Sequence, residues 1–293
     1  MTSPAARSAV AALTLWYGQN ARDLPWRSPE RTPWGVYVSE IMLQQTPVRR
    51  VLPVWHSWME RWPSPSHLAE AGAGEAIRAW GRLGYPRRAL RLHAAASIMN
   101  ARHAGTVPGR YDALRALPGV GDYTAAAVAA FAFGERRAVL DTNVRRVLAR
   151  ALAGRTAPSG APSAAERALA ESMLPDDGPS AATWSVAVME LGAVVCTARS
   201  PKCQACPLAG ACSWRRAGFP NAGAPARPSQ RWEGTDRQAR GRLLAELRAS
   251  SGPVGRSRLD QLWPDATQRE RAVAGLLADG LIERTPAGYR LPQ

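Results

Sequence analysis

Apolar residues return every three or four positions along most of the first two thirds of the chain. Val48, Val51, Leu52, Trp55, Trp58, Met59 and Trp62 form one such stripe, whose spacing predicts a helix that tolerates Pro53. From Thr124 to Phe133 nearly every residue is Ala, Val or Phe, which predicts a helix buried on most sides. Val144, Val147, Leu148 and Leu152 continue the period after a short break, and Trp184 to Val195 gives a further apolar helix. Strict alternation, the mark of a half-buried strand, is scarce before residue 280. The pattern predicts an all-α body in which these stripes are core.

The pattern changes after residue 215. Arg216 to Ser229 is rich in Pro, Gly and Ala, a linker composition, and residues 216–235 are read as the linker. Beyond it, helices are expected at about Asp236–Arg248, Arg256–Trp263 and Thr267–Asp279, the last stopped by Gly280. Leu281–Arg284 and Gly288–Leu291 then suit a hairpin around Pro286 and Ala287. Residues 236–293 are therefore expected to form a small winged-helix-like unit. Its charges nearly balance, ten Arg against eight Asp plus Glu from Glu233 onward, so both a DNA-reading wing and a packing or protein-contact module fit.

Composition adds a partner. The chain has 293 residues, enough for a sizeable core and two or three lobes, and 38 Lys plus Arg against 23 Asp plus Glu give a net charge of +15. That excess predicts a polyanionic partner, and nucleic acid is the natural one. Neither a secretory leader pattern nor an apolar run of membrane-spanning length is evident, so a cytoplasmic, nucleoid-associated monomer with reduced thiols is expected. His56, His67, His93 and His103 show no ligand spacing.

The chemistry begins with the cysteines. All four fall at Cys196, Cys203, Cys206 and Cys212. Four thiolates hold either zinc or a [4Fe-4S] cluster; zinc knuckles show two tight pairs, whereas here only Cys203 and Cys206 are two apart, so the spacing favours iron-sulfur. Arg199, Lys202 (the single lysine of the chain) and Arg215 lie in or beside this loop, where they would meet a phosphate backbone. Leu117-Pro-Gly119-Val120-Gly121-Asp-Tyr123-Thr has two glycines at a helix entrance. Such a turn aims backbone N–H groups at a phosphate, and the context favours a helix-hairpin-helix that binds DNA without reading sequence. Two carboxylates stand out less. Asp141 precedes a helix that it would ordinarily cap, and Glu40 sits among Val36, Val38, Ile41 and Leu43 but taken singly reads as a solvated or paired residue.

Together, WGVYVSEIMLQQTPV, GRLGYPRRAL, LPGVGDYTAAAVAAFAFG, AVLDTNVRRVL and the cysteine loop resemble the MutY-type adenine DNA glycosylases of the helix-hairpin-helix superfamily, over roughly residues 14–215. The resemblance implies a two-lobed glycosylase over 1–215, with a six-helix lobe at about 32–146 and a [4Fe-4S] cluster lobe built from 1–31 and 147–215. It also implies duplex DNA with a mismatch or lesion as partner and a target nucleotide flipped from the stack. Position by position, Glu40 becomes the acid that protonates the departing purine and Asp141 the carboxylate that stabilises the charged sugar, with Tyr123 and Asn143 orienting them. Trp26 and Arg27 become the wall of the base pocket. Gln44 and Gln45 become the residues that fill the gap in the duplex and touch the opposite base; Thr46, Tyr85, Leu117, Gly119, Val120, Gly121 and Lys202 become further DNA-binding residues. No lysine stands in the hairpin, where strand-nicking relatives form a Schiff base, so a monofunctional enzyme is implied.

The pattern departs in three places. Val186 stands where relatives carry Gln or Glu, Pro86 replaces the second tyrosine of an LGYY motif, and the tail is short for a domain that reads 8-oxoguanine. Three readings follow: an adenine glycosylase acting opposite 8-oxoguanine or G, a glycosylase for T or U opposite G, and a non-catalytic DNA-binding iron-sulfur module.

Overall fold

The structure, a computed structural model, describes residues 4–158, 160–221 and 232–293, with side chains from residue 7 onward. Half of the expected linker, 222–231, lies outside the described residues. The chain divides into two compact units, Met1–Val36 with Gly109–Ala116 and Val120–Ala226, and Tyr37–Pro108 with Leu117–Gly119 and Arg227–Gln293.

The α-helices in chain order are α1 (Pro4–Asn20), α2 (Pro33–Met42), α3 (Val48–Arg61), α4 (Pro65–Glu70), α5 (Ala73–Trp80), α6 (Arg87–Arg102), α7 (Tyr111–Arg115), α8 (Asp122–Phe133), α9 (Thr142–Ala151), α10 (Ala164–Ser172), α11 (Gly178–Val194), α12 (Ser213–Arg216), α13 (Asp236–Ala249), α14 (Arg256–Leu262) and α15 (Ala266–Ala278). Strands β1 (Glu283–Thr285) and β2 (Gly288–Arg290) close the chain.

In the first unit the apolar length of α11 is the organising feature. Trp184, Ala187, Val188 and Leu191 meet Leu13 of α1 and Val144, Val147 and Leu148 of α9 in one core. A second cluster is made of small residues, Ala126, Ala127 and Ala130 of α8 with Val139. Side chains this short let helix backbones approach closely, which is why α8 can bury Thr124 through Ala130 without a break.

The second unit is built on tryptophan. Val51, Trp55 and Trp58 face inward from α3, while Pro53 is exposed and its ring stands on the outer side of the helix. Trp58 meets Trp62 and Trp80 edge-on at centroid distances of 4.8 and 5.7 Å, the geometry that ring quadrupoles prefer.

The C-terminal helices appear where the periodicity places them. The hairpin is shorter than expected: β1 starts at Glu283, paired with Arg290, and Leu281 and Ile282 belong to the core instead. The cause is Gly280, whose φ of 67° ends α15 and turns the Leu281 N–H back to the Leu276 carbonyl. Val254 bridges Tyr289 as a third short extended segment, completing the three helices and wing of a winged-helix arrangement.

Trp58→Ala would remove the centre of the tryptophan cluster. The expected loss is about 3–5 kcal/mol of unfolding free energy, read as a shift of the urea midpoint; a shift within scatter would mean the cluster contributes little.

Candidate active site and cluster loop

Asp141 caps α9 as its position suggests, yet capping uses only half the carboxylate. Oδ1 accepts the Val144 N–H at 2.6 Å and Oδ2 accepts the Asn143 amide at 2.8 Å. Asn143 is oriented by chemistry: its other end accepts Nη2 of Arg146 at 2.8 Å, and a guanidinium can only donate while a carboxylate only accepts. Arg146 is itself buried, with Nη2 on the Gly192 carbonyl at 2.6 Å and Nε on the Cys196 carbonyl at 2.7 Å. Burial pushes the Asp141 pKa up. The Val144 and Asn143 hydrogen bonds and the Arg146 charge oppose that rise without cancelling it.

The chain of contacts ends at the first cysteine of the loop. All four cysteines line one pocket whose wall includes Arg150 and Trp214. Among the described residues, no three Cys, His, Asp or Glu side chains converge closely enough to share one ion. Four thiols around one pocket are a donor set for a [4Fe-4S] cluster or a zinc ion, and the single two-apart pair Cys203 and Cys206 favours the cluster. Burial pushes Cys206 up to about 11, and burial with the charges of Cys196 and Cys212 raises Cys203. Thiolates at such a site need a cationic centre to offset their burial and mutual repulsion. Arg150 lies one turn along α9 from Arg146. It stacks on Trp214 at 4.6 Å and donates to Thr156, Thr197 and Ala198 carbonyls at 2.7–3.0 Å, with Nη1 3.5 Å from the Cys196 sulfur. Lys202 and Arg199 are exposed on the loop, and Arg215 is exposed on α12.

Trp26 is buried, and Arg27 places Nη1 2.8 Å from Glu190 Oε2. Arg22 completes the group, its Nε and Nη2 gripping the same carboxylate at 2.6 and 2.8 Å. Glu190 is fully buried; burial pushes its pKa up, but the Arg22 hydrogen bonds and the Arg27 charge outweigh it and hold the carboxyl down to about 2. Val186, one turn earlier on α11, brings no polar atom.

The hairpin turn runs from α7 into α8. Gly119 takes φ of 80°, and a Cβ there would lie 3.0 Å from Arg91 side-chain atoms, so the turn requires glycine. Gly121 precedes α8 at its positive end, where an anion is favoured, and has no side chain of its own to cap the first turn. Leu117 and Val120 are buried and anchor the turn from within, while Tyr123 packs against the small-residue cluster of α8.

Glu40, in the second unit, is not the surface residue that its isolated reading suggests. Only 6% of it is exposed, because α2 is buried continuously from Trp34 to Met42. After α2 the chain enters Gln44-Gln45-Thr46. Gln45 is exposed with φ of 55°, and Tyr85 is exposed with φ of 48°, two non-glycine residues in the left-handed region that persists only where surroundings enforce it. Arg88 is the enforcing group. Its buried guanidinium donates to the Ile41, Met42 and Gln44 carbonyls at 3.0, 3.0 and 2.6 Å, to Thr46 Oγ1 at 2.9 Å and to the Gly84 carbonyl at 3.1 Å. Burial lowers its pKa to about 10, so it stays charged at neutral pH.

Sequence reasoning missed Arg22, Arg88, Arg146, Arg150 and the role of Glu190. One signal was present for Glu190: a lone charge in the otherwise apolar stretch TWSVAVMELGAV. The arginines were hidden by their abundance.

Asn143→Ala removes one donor to Asp141 while the Val144 cap remains. The Asp141 pKa, followed by carboxyl ¹³C NMR titration, is expected to move further up; an unchanged value would break the proposed chain of control. Glu190→Gln should destabilise the protein at neutral pH. Because the folded pKa is depressed, that difference is present above the unfolded carboxylate value of about 4.3 and fades as pH falls towards 2, which denaturant melts at several pH values would show.

Residues 38–173 match the HhH-GPD superfamily of base excision DNA repair proteins, and residues 196–212 match the iron-sulfur binding domain of endonuclease III. The adenine DNA glycosylase of Mycobacterium tuberculosis is 53% identical over 283 residues, covering 96% of this chain and 92% of that protein. The thymine/uracil-DNA glycosylase of Pyrobaculum aerophilum is 36% identical over 203 residues, covering 68% of this chain and 87% of that one. A solved thermostable thymine-DNA glycosylase superposes with a TM-score of 0.66 at 27% identity, over 73% of this chain and all of that one. With half its residues shared along nearly its whole length, the chain belongs to the adenine DNA glycosylase family within the helix-hairpin-helix superfamily of base excision repair, and it carries that superfamily's iron-sulfur loop.

Proposed function

We propose that this DNA glycosylase hydrolyses the N-glycosidic bond of adenine mispaired with 8-oxoguanine or guanine, leaves an abasic site, and works as a monomer in the cytoplasm on duplex DNA. The observation that carries the chemistry is the Asp141 carboxylate, capped on one oxygen and held by Asn143 on the other. A carboxylate so fixed cannot swing to meet solvent and presents its charge where a sugar cation develops. In this reading Glu40, desolvated in α2, delivers a proton to the departing purine, Asp141 stabilises the oxocarbenium-like sugar, and Tyr123 and Asn143 orient the carboxylate and the attacking water.

Recognition divides among the remaining groups. Trp26 stacks on the flipped base and Arg27, tied to Glu190, donates to it. Gln44, Gln45, Thr46 and Tyr85 meet the opposite strand. Leu117, Gly119, Val120 and Gly121, with Lys202 on the cluster loop, bind phosphates. Cys196, Cys203, Cys206 and Cys212 hold the [4Fe-4S] cluster, which when bound keeps the four thiolates paired with positive charge and the loop closed.

Adenine is favoured over the alternatives because the mycobacterial protein named for adenine is 53% identical and is matched over 92% of its own length. Thymine or uracil opposite G is the second reading, supported by the Pyrobaculum relative and by Val186, which leaves one wall of the base pocket without a polar group.

Single-turnover base release from duplexes carrying A opposite 8-oxoguanine, A opposite G, and T or U opposite G separates these. Adenine release is expected, reduced about 10²- to 10⁴-fold in Glu40→Gln, with no borohydride-trapped adduct because the hairpin lacks an amine. Release of T or U alone would move the assignment to the second reading, and binding without release from any duplex would leave a DNA-binding module.

A further inference from the structure

The C-terminal unit is bound to the rest of its compact unit by an exchange of arginines. The last turn of α5 tightens, so that the Gly81 N–H returns to the Arg78 carbonyl and leaves the Ile77 carbonyl without its helical donor. Arg248, at the end of α13, supplies one: its Nε donates to Ile77 O at 3.1 Å. In return Arg78, from the end of α5, donates to the Arg248 carbonyl and to the Ser250 carbonyl, the latter at 3.0 Å. Each helix C-terminus, the negative end of its dipole, is thus capped by a cation from the other. Arg248 is half-buried, and burial lowers its pKa to about 10, so the cap remains charged at neutral pH. The fit continues at Gly74, where a Cβ would lie 2.3 Å from the Pro292 carbonyl oxygen.

These contacts bracket one loop. Ile77 and Arg78 lie just before Gly81–Pro86, and Arg87, the residue after it, reaches Asp279 of the C-terminal unit at 3.3 Å. Inside the loop Trp80 Nε1 and Arg88 both donate to the Gly84 carbonyl, and exposed Tyr85 holds its left-handed backbone. On the outer face of the C-terminal unit, by contrast, most arginines are already paired with acids, and exposed Arg237, Arg242 and Arg284 stand over the Trp232, Trp263 and Tyr289 rings. The exposed residues of α15, the helix that would enter a groove, are Ala266, Thr267, Glu270, Arg271, Ala274 and Ala278. Arg271 pairs with Asp236, and Arg256 occupies Glu270. Arg240, Arg258, Arg269 and Arg290 likewise have carboxylate partners.

We infer that the C-terminal winged-helix-like unit is an intramolecular brace which fixes the Gly81–Pro86 loop at both ends, with Arg78 and Arg248 as positioning residues, and is not a second DNA reader. Its link to the opposite base rests on the role proposed above for Tyr85.

Hydrogen exchange of the full chain tests the brace without any substrate. In Arg248→Ala, amides of 77–86 are expected to exchange about tenfold faster while those of α9 and α11 are unchanged, and Arg248→Lys should recover part of the protection. Gly74→Ala, which presses on Pro292 from the other side, gives the same readout if Arg248→Ala does not fold. Unchanged exchange in 77–86 in whichever variant folds overturns the brace. Duplex affinity followed by anisotropy against salt tests the second half. Arg271→Ala with Arg284→Ala is expected to leave the slope of log K on log salt unaltered, whereas a slope smaller by roughly 0.9 for each phosphate no longer neutralised would make the unit a DNA reader and overturn the inference. If no duplex loses a base, the proposed function fails while the exchange result still decides the brace.

Discussion

A buried guanidinium that finds backbone carbonyls instead of carboxylates is the interaction on which this structure depends. Arg88, Arg146 and Arg150 are nearly inaccessible, and each holds chain segments far apart in sequence by donating to two or more carbonyl oxygens. The physics suits arginine alone. Five donors in a rigid fork reach several acceptors at once, and the group stays charged when desolvated; a lysine would present a single ammonium and lose its proton more readily. Burial is costly, but most of the donors meet carbonyl oxygens that would otherwise lack a partner, Nε of Arg88 being a buried exception.

This constraint links the two kinds of site in the first unit. Arg146 fixes the Asn143 amide that holds Asp141 and also fixes the carbonyl of Cys196, so the carboxylate and the cysteine loop share one rigid helix, α9. In the second unit the same device fixes the turn for which a role in recognition is proposed. Arg88 ties the end of α2, and with it the Gln44–Thr46 turn, to Gly84, so the left-handed geometry of Gln45 and that of Tyr85 are set by one side chain.

The charge excess reads differently in this light. A balance of +15 points correctly to a polyanion, yet many of the arginines face inward or pair with acids, above all in the C-terminal unit. Net charge counts groups without knowing where they point, so it identifies the partner class and overstates the surface that meets it.

What the amino-acid order determined by itself was whatever has a short period or a local motif. The helices, the hairpin glycines, the cysteine run and the Asp141 cap are set by spacing within a few residues, and all were legible. Glu40 was legible only through a resemblance, because its burial comes from packing on all sides of α2 and no neighbour in sequence records it. The Glu190 group joins residues 163 and 168 positions apart, and the exchange between Arg78 and Arg248 spans 170. Such pairings are decided only by tertiary structure: a carbonyl or a guanidinium is chemically the same everywhere in a chain, and only folding determines which one is left without water and must find the other.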